Sequence, residues 1–180
     1  PGRYTVTGEL KGFSKYEVPD VIILLGRTLK IDMTLQVGTL EQAVQISEAT
    51  PIIDTLSTTV GHNVTAEEFD RLPKGRSFQG ILMTSPSVNQ GAVEGGFQVN
   101  GASGAENVFT IDGISTASGV NGKSRQDAPF EFLQEVQVKT AGIEAEYGGA
   151  IGGVISAVTK SGGNAFHGDV HYYFGGNPIS

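Results

Sequence analysis

The sequence predicts an α+β domain built on a small mixed β-sheet with short helices, preceded by part of an all-β sandwich. Three observations carry this. The first 37 residues alternate apolar and polar with a period of two. From Val64 onward, short helical patterns mix with strand-like runs. The glycines crowd into the second half: 18 of the 26 lie at or after Gly91, as close packing and tight turns in a compact sheet domain require.

Taken in order, residues 1–37 read as antiparallel strands of the sandwich. Tyr4, Val6 and Gly8 face one way and Thr5, Thr7 and Glu9 the other, with turns at Gly12 and Gly26. The pattern continues through Val21–Leu25, then places Leu29, Ile31, Met33 and Leu35 on one face. This stretch is too short to close a sandwich by itself. Residues 38–63 read as a linker, in which Ala43–Ile46 is strand-like before Pro51 interrupts. The α+β domain spans residues 64–163. Thr65 followed by Ala66-Glu67-Glu68 has capping-box spacing, so a helix runs to about Arg71 and stops before Pro73. Phe78, Ile81 and Leu82 sit at i, i+3 and i+4 of a second helix that ends before Pro86. Strands follow at Phe97–Asn100, Val108–Ile111, Val136–Thr140 and Val154–Thr159, and Pro129 suits a helix start with Phe130 and Leu133 on one face.

Residues 164–180 differ in texture. Phe166, Gly168, Val170, Tyr172 and Phe174 share one face, opposite His167, Asp169, His171 and Tyr173. The length matches the roughly 9–11 residues with which a barrel strand crosses a bilayer, although an ordinary half-buried strand gives the same alternation. The longest aliphatic run, Val21–Leu25, is far short of the roughly 20 apolar residues of a spanning helix. No signal peptide is visible at Pro1, and the chain reads as an excerpt of something longer.

Composition removes several chemistries. With no Cys there are no disulfides, thiolate metal sites or cysteine nucleophiles. A net charge of −7 argues against a nucleic-acid partner. His62, His167 and His171 lack a neighbouring carboxylate cluster, so no metal site is expected. Gly148-Gly149-Ala150-Ile151-Gly152-Gly153 imitates a phosphate loop, but it precedes a strand where a dinucleotide loop would follow one, and a tight, closely packed turn is expected. Asp112-Gly113 reads as a chain reversal, and Glu144 and Glu146 as the solvated side of a short turn ending at Tyr147. No catalytic constellation emerges, so neither an enzyme nor a cofactor is expected.

A family resemblance rests on specific runs. Ile143-Glu144-Ala145-Glu146-Tyr147-Gly148, Gly152-Gly153-Val154-Ile155, Val158-Thr159-Lys160-Ser161-Gly162-Gly163-Asn164 and His167-Gly168 resemble the end of the plug domain of TonB-dependent outer-membrane receptors, and most closely their Oar-like subgroup. Leu72-Pro73, Gly75-Arg76-Ser77-Phe78 and Ser85-Pro86-Ser87-Val88 resemble its opening helices. Val99-Asn100-Gly101 and Val108-Phe109-Thr110-Ile111-Asp112-Gly113 resemble its central strands. Gly2-Arg3-Tyr4-Thr5-Val6 and Gly12-Phe13 are similar to the second half of a carboxypeptidase-regulatory-like domain, a non-catalytic sandwich of Ig/prealbumin-like type. One departure is Thr140-Ala141-Gly142, where many receptors carry an Arg-Gly-Pro turn.

The resemblance implies a plug at 64–163 and the start of an outer-membrane β-barrel at 164–180. It implies a bacterial outer-membrane location, with the plug facing the periplasm and the barrel lumen. The implied partners are the chain's own C-terminal barrel, the TonB energy-coupling protein and an external ligand of unknown identity. Ligand contact is expected in the loops Gln90–Gly96 and Ser115–Asp127, at Asn89, Gln90, Glu94, Ser115, Asn121, Lys123 and Arg125. TonB coupling is expected at Glu41, Ala43, Val44 and Ile46, in an extended segment suited to strand addition; a last edge strand of the sandwich would look the same. Arg76 and Arg125 are expected to lock the plug against barrel carboxylates. Two rival readings stand beside this one, a secreted or surface β-rich adhesion module without a barrel and an accessory domain of an enzyme.

Overall fold

A computed structural model describes residues 1–38, 44–45, 58–69, 71, 78–91, 96–118, 124, 128–166 and 168–172. The N-terminal sheet has three strands, β1 (Gly2–Gly8), β2 (Tyr16–Ile23) and β3 (Val44–Gln45), in the order β1-β2-β3. β1 and β2 run antiparallel. Their register slips between Tyr4 and Val6, because β2 carries one extra residue around Asp20, whose φ is +56°. The expected alternation therefore holds for Val6 and Gly8 but not for Tyr4, which is exposed. Leu29, Ile31, Met33 and Leu35 are half-buried while Lys30, Asp32, Thr34 and Gln36 are exposed, so the predicted faces exist. They exist without a ladder; the segment lies over β1, with Met33 Sδ close above Gly8.

The second unit is a five-stranded mixed sheet, formed by β4 (Val60–Thr65), β7 (Val108–Ile111), β8 (Ile114–Ser115), β9 (Leu133–Ala141) and β10 (Val154–Thr159) in the order β4-β9-β10-β7-β8. Only the β7–β10 pair is parallel. A hairpin of β5 (Val88–Gln90) and β6 (Phe97–Val99) lies beside it. The helices are single turns, α1 (Ala66–Phe69) and α2 (Gln79–Leu82), with 3-10 turns at Gly104–Glu106 and Phe130–Phe132.

The sheet begins at Val60, four residues inside the stretch expected to be linker. Gly61, His62 and Asn63 have poor strand propensity, and pairing with β9 overrides it. α1 starts as predicted: Glu68 accepts from the Thr65 N–H at 2.8 Å and from its hydroxyl at 3.2 Å. Its helical turn closes at Phe69, ahead of the expected Arg71. Pro129 opens one 3-10 turn before β9 takes over.

One face of the sheet builds the core. Val64, Val136, Val138, Ile155 and Phe109 pack against Phe69, Phe78, Ile81, Leu82 and Phe130. Phe78, Ile81 and Leu82 are wholly buried, each contributing about 1.5–3 kcal/mol by leaving water. Residues 164–166 and 168–172 form no ladder, and Phe166, Val170 and Tyr172 stand fully or almost fully exposed.

Candidate functional site

The two predicted ligand loops are stems of hairpins. Asn89 and Gln90 end β5, both exposed, and the Gly91 N–H donates to Gly96 O at 2.8 Å where the loop closes. Ser115 is exposed at the end of β8, and a bridge between Ala117 and Ser124 closes the second loop. Each stem has its own anchor. The Asn107 Nδ2 donates to Phe97 O at 2.6 Å at the start of β6, and the Thr116 N–H donates to Phe109 O at 2.9 Å. Of the predicted contact residues, Asn89 and Gln90 are placed at the end of β5 and Ser115 at the end of β8. Glu94, Asn121, Lys123 and Arg125 lie outside the described residues, as do Arg76, Glu41, Ala43 and Ile46. Val44 is placed: it pairs with Tyr16 in a parallel two-residue rung at the edge of the N-terminal sheet.

Asn107 is buried and does three things at once. Besides Phe97 O it donates to Gly104 O at 3.4 Å, and its Oδ1 accepts from the Gly153 N–H at 2.9 Å. It thereby joins β6, the loop before β7 and the start of β10. The expected close packing of the Gly152-Gly153 turn follows: a Cβ at Gly152 would collide with Asn107 Oδ1, and one at Gly153 would meet Val99 at 2.9 Å. Asp112-Gly113 forms the expected reversal, with φ of +49° and +78° as a type I′ hairpin demands. Asp112 does more than turn the chain, because its carboxylate accepts from the Thr159 N–H and hydroxyl at 2.9 and 2.8 Å and secures the end of β10.

The least expected feature is the second face of β9. Glu135, Gln137 and Lys139 alternate with Val136 and Val138, the pattern of a solvated strand face. All three are nonetheless buried. Two covers account for this. At one end the Lys139 ammonium meets Glu144 Oε2 at 2.8 Å and lies 4.7 Å from the centre of the Tyr147 ring. The hydrogen bond from Lys139 is the main reason the Glu144 carboxyl titrates below its ordinary range. Thr59 Oγ1 donates to both Glu144 and Gly142 O, tying the strand entering β4 to this cluster. Glu144 is thus an ion-pair partner as well as a solvated turn residue. At the other end, Glu135 and Gln137 are covered by the turn at Leu24–Arg27 of the N-terminal unit. Nothing in the alternation itself distinguishes a polar face in water from one beneath a neighbouring unit.

Comparison with known proteins agrees with this architecture. The model of the TonB-dependent receptor plug domain family matches residues 52–154, from ahead of β4 to the first residue of β10. The chain is 36% identical over 179 residues to the TonB-dependent transporter Oar of Myxococcus xanthus, covering 94% of this chain and 17% of that protein. It is 29% identical over 131 residues to the ferrienterobactin receptor of Escherichia coli K12, covering 62% of this chain and 18% of the receptor. Among solved structures, the siderophore receptor PirA from Acinetobacter baumannii superposes with a TM-score of 0.51 at 20% identity, over 62% of this chain and 19% of that one, a likeness of fold. The chain spans less than a fifth of the length of each of these relatives. By the family match over more than half of its length, the chain belongs to the TonB-dependent receptor plug domain family.

Proposed function

We propose that this plug is the gate of an outer-membrane transporter, lodged in the lumen of its own C-terminal β-barrel and facing the periplasm on its inner side. External ligand bound at the outer end is coupled to energised passage through the TonB protein. The observation that carries this reading is the family match, which covers the five-stranded sheet from β4 to the start of β10 in one stretch. In this reading residues 1–37 belong to a carboxypeptidase-regulatory-like sandwich, 38–63 connect it to the plug and hold the coupling segment, and 164–180 open the barrel. The exposure of Phe166, Val170 and Tyr172 supports the last assignment, since an outward apolar face is what a barrel strand presents to lipid.

The exposure of Asn89, Gln90 and Ser115 at the hairpin ends supports ligand contact in these two loops, by Asn89, Gln90, Glu94, Ser115, Asn121, Lys123 and Arg125. Deleting Asn121–Ser124 from the full-length protein is expected to weaken cargo binding by about tenfold or more, equivalent to some 1.4 kcal/mol. Unchanged affinity with a correctly inserted barrel would remove the loop from the site. Arg76 and Arg125 are proposed to pair with barrel carboxylates and hold the gate shut. Each exposed pair contributes only about 0–1 kcal/mol, so they act together. Arg76→Glu is expected to raise passive leak of a large antibiotic through the protein; leak at the wild-type level would rule Arg76 out of the lock.

A further inference from the structure

The turn at Leu24–Arg27 is seated in a socket made for one backbone unit. Both oxygens of Glu135 accept from the Leu25 N–H at 3.1 Å. The Leu25 carbonyl accepts from Asn63 Nδ2 at 3.0 Å and from Gln137 Nε2 at 2.6 Å. The same two amide groups are bonded within the socket, Asn63 Nδ2 to Glu135 and Gln137 Nε2 to Asn63 Oδ1. Both hydrogens of each amide are therefore used. The approach is close: a Cβ at Gly26, whose φ is +62°, would displace the side-chain amide of Gln137. The socket spans two strands, since Asn63 is on β4, the edge of the sheet, while Glu135 and Gln137 are on β9.

Its chemistry is that of a contact meant to part. Among the described residues no Lys, Arg or His forms an ion pair with Glu135. Its described partners are the Leu25 N–H and the Asn63 amide. An apolar socket would be left facing water when vacated. This one, when open, offers a carboxylate and two amides that water satisfies. Its neighbours on the opposite face, Val136 and Val138, belong to the core and do not touch the turn through the socket.

We propose that the outer face of β4 and β9 is a reversible docking socket, and that the N-terminal sheet is a latch whose Leu24–Arg27 turn staples the edge strand β4 onto β9. While the turn is seated, β4 cannot peel from the sheet without breaking the staple; once it leaves, β4 keeps its ladder, the packing of Val64 and the direct bonds of Asn63 to Glu135 and Gln137, but loses the bridge through Leu25. If the chain gates a barrel as proposed above, the latch sets how readily the plug opens, but the latch itself is a property of this chain and is testable without the barrel.

The test is amide hydrogen exchange on the full chain, comparing wild type with Gly26→Asn and Gly12→Asn. Asparagine tolerates positive φ, so the substitution at Gly26 chiefly removes the clearance over Gln137. Gly12 also has positive φ, +88°, in the same unit but with open space around it. Gly26→Asn is expected to speed exchange at His62 and Val64, the β4 residues whose N–H groups face β9, by on the order of tenfold through loss of the socket's hydrogen bonds. Exchange in β10 and at Gln137 and Lys139, whose N–H groups face β10, should keep its wild-type rate, while Val136 and Val138, whose N–H groups face β4, should quicken with β4; Gly12→Asn should leave β4 unchanged. Three results would each overturn the latch: wild-type exchange in β4 of Gly26→Asn; equal acceleration by Gly12→Asn, which would indicate a merely weakened N-terminal sheet; and acceleration across β9 and β10 alike, which would make the turn part of the plug's fold.

Discussion

Val44→Pro in the full-length protein is expected to abolish energised transport while cargo still binds and the protein still reaches the outer membrane. Among the described residues, Val44 and Gln45 pair with β2, Tyr16 opposite Val44 and Glu17 opposite Gln45, in a parallel arrangement at the edge of their sheet. A strand at a sheet edge can leave one sheet and join another, which is what capture by strand addition requires of Glu41–Ile46. Proline removes the backbone N–H at that position and locks φ near about −65°, so it interferes with pairing in either partner sheet. The core residues of the plug and both hairpin loops lie elsewhere in the chain, so binding and insertion are not touched. Uptake is to be followed with and without an energised membrane, alongside equilibrium binding. Wild-type uptake by the variant would place coupling outside residues 41–46.

The largest effect on stability is expected at Asn107. Replacing it with alanine leaves the Gly153 N–H and the Phe97 carbonyl without the partner they now have, in a site where Asn107 itself is only 3% exposed. A buried polar group stripped of its partner costs about 1–3 kcal/mol, so the pair together loses about 2–6 kcal/mol. That is a large part of the roughly 5–15 kcal/mol that holds a domain folded. Asn107→Asp keeps an acceptor for Gly153 but sets a buried carboxylate oxygen against the Phe97 carbonyl, and should cost at least as much as alanine. Urea denaturation of the three chains gives the comparison. A loss below about 1 kcal/mol for Asn107→Ala would mean that water replaces the side chain, and that the site is less enclosed than the packing of Gly152 and Gly153 implies.

Legibility in the sequence followed local chemistry. β7 and β10 were readable to the residue, because Val108–Ile111 and Val154–Thr159 are β-branched or apolar runs bounded by turn residues. The helix positions followed from Thr65 with Glu68 and from the spacing of Phe78, Ile81 and Leu82. β4 was hidden because Gly61-His62-Asn63 has no strand character of its own and is recruited by β9 from far along the chain. The hairpin strand β5 was missed for a similar reason, with Asn89 and Gln90 following a single buried Val88. The polar socket was beyond reach. Glu135, Gln137 and Lys139 have the spacing of a wet face, and only the arrival of Leu25 and Glu144 makes them a buried one. Ser103 and Glu106 form a capping box whose spacing was present to be read.

The strand order also dictates when the plug can come into being. β4 is the first strand of its sheet to be synthesised, yet its neighbour is β9, and Asn63 meets Glu135 across 72 residues. β7 likewise waits for β10, its parallel neighbour, while its short hairpin with β8 needs no such wait. Closing loops of that length exacts a conformational entropy that local contacts do not repay in advance. A chain emerging from its amino terminus therefore exposes Val64, Phe69, Phe78, Ile81 and Leu82 until β9 and β10 follow. Truncation anywhere before Val154 yields not a smaller plug but an unclosed one, with its apolar helices bare and β9 lacking its neighbour on one side.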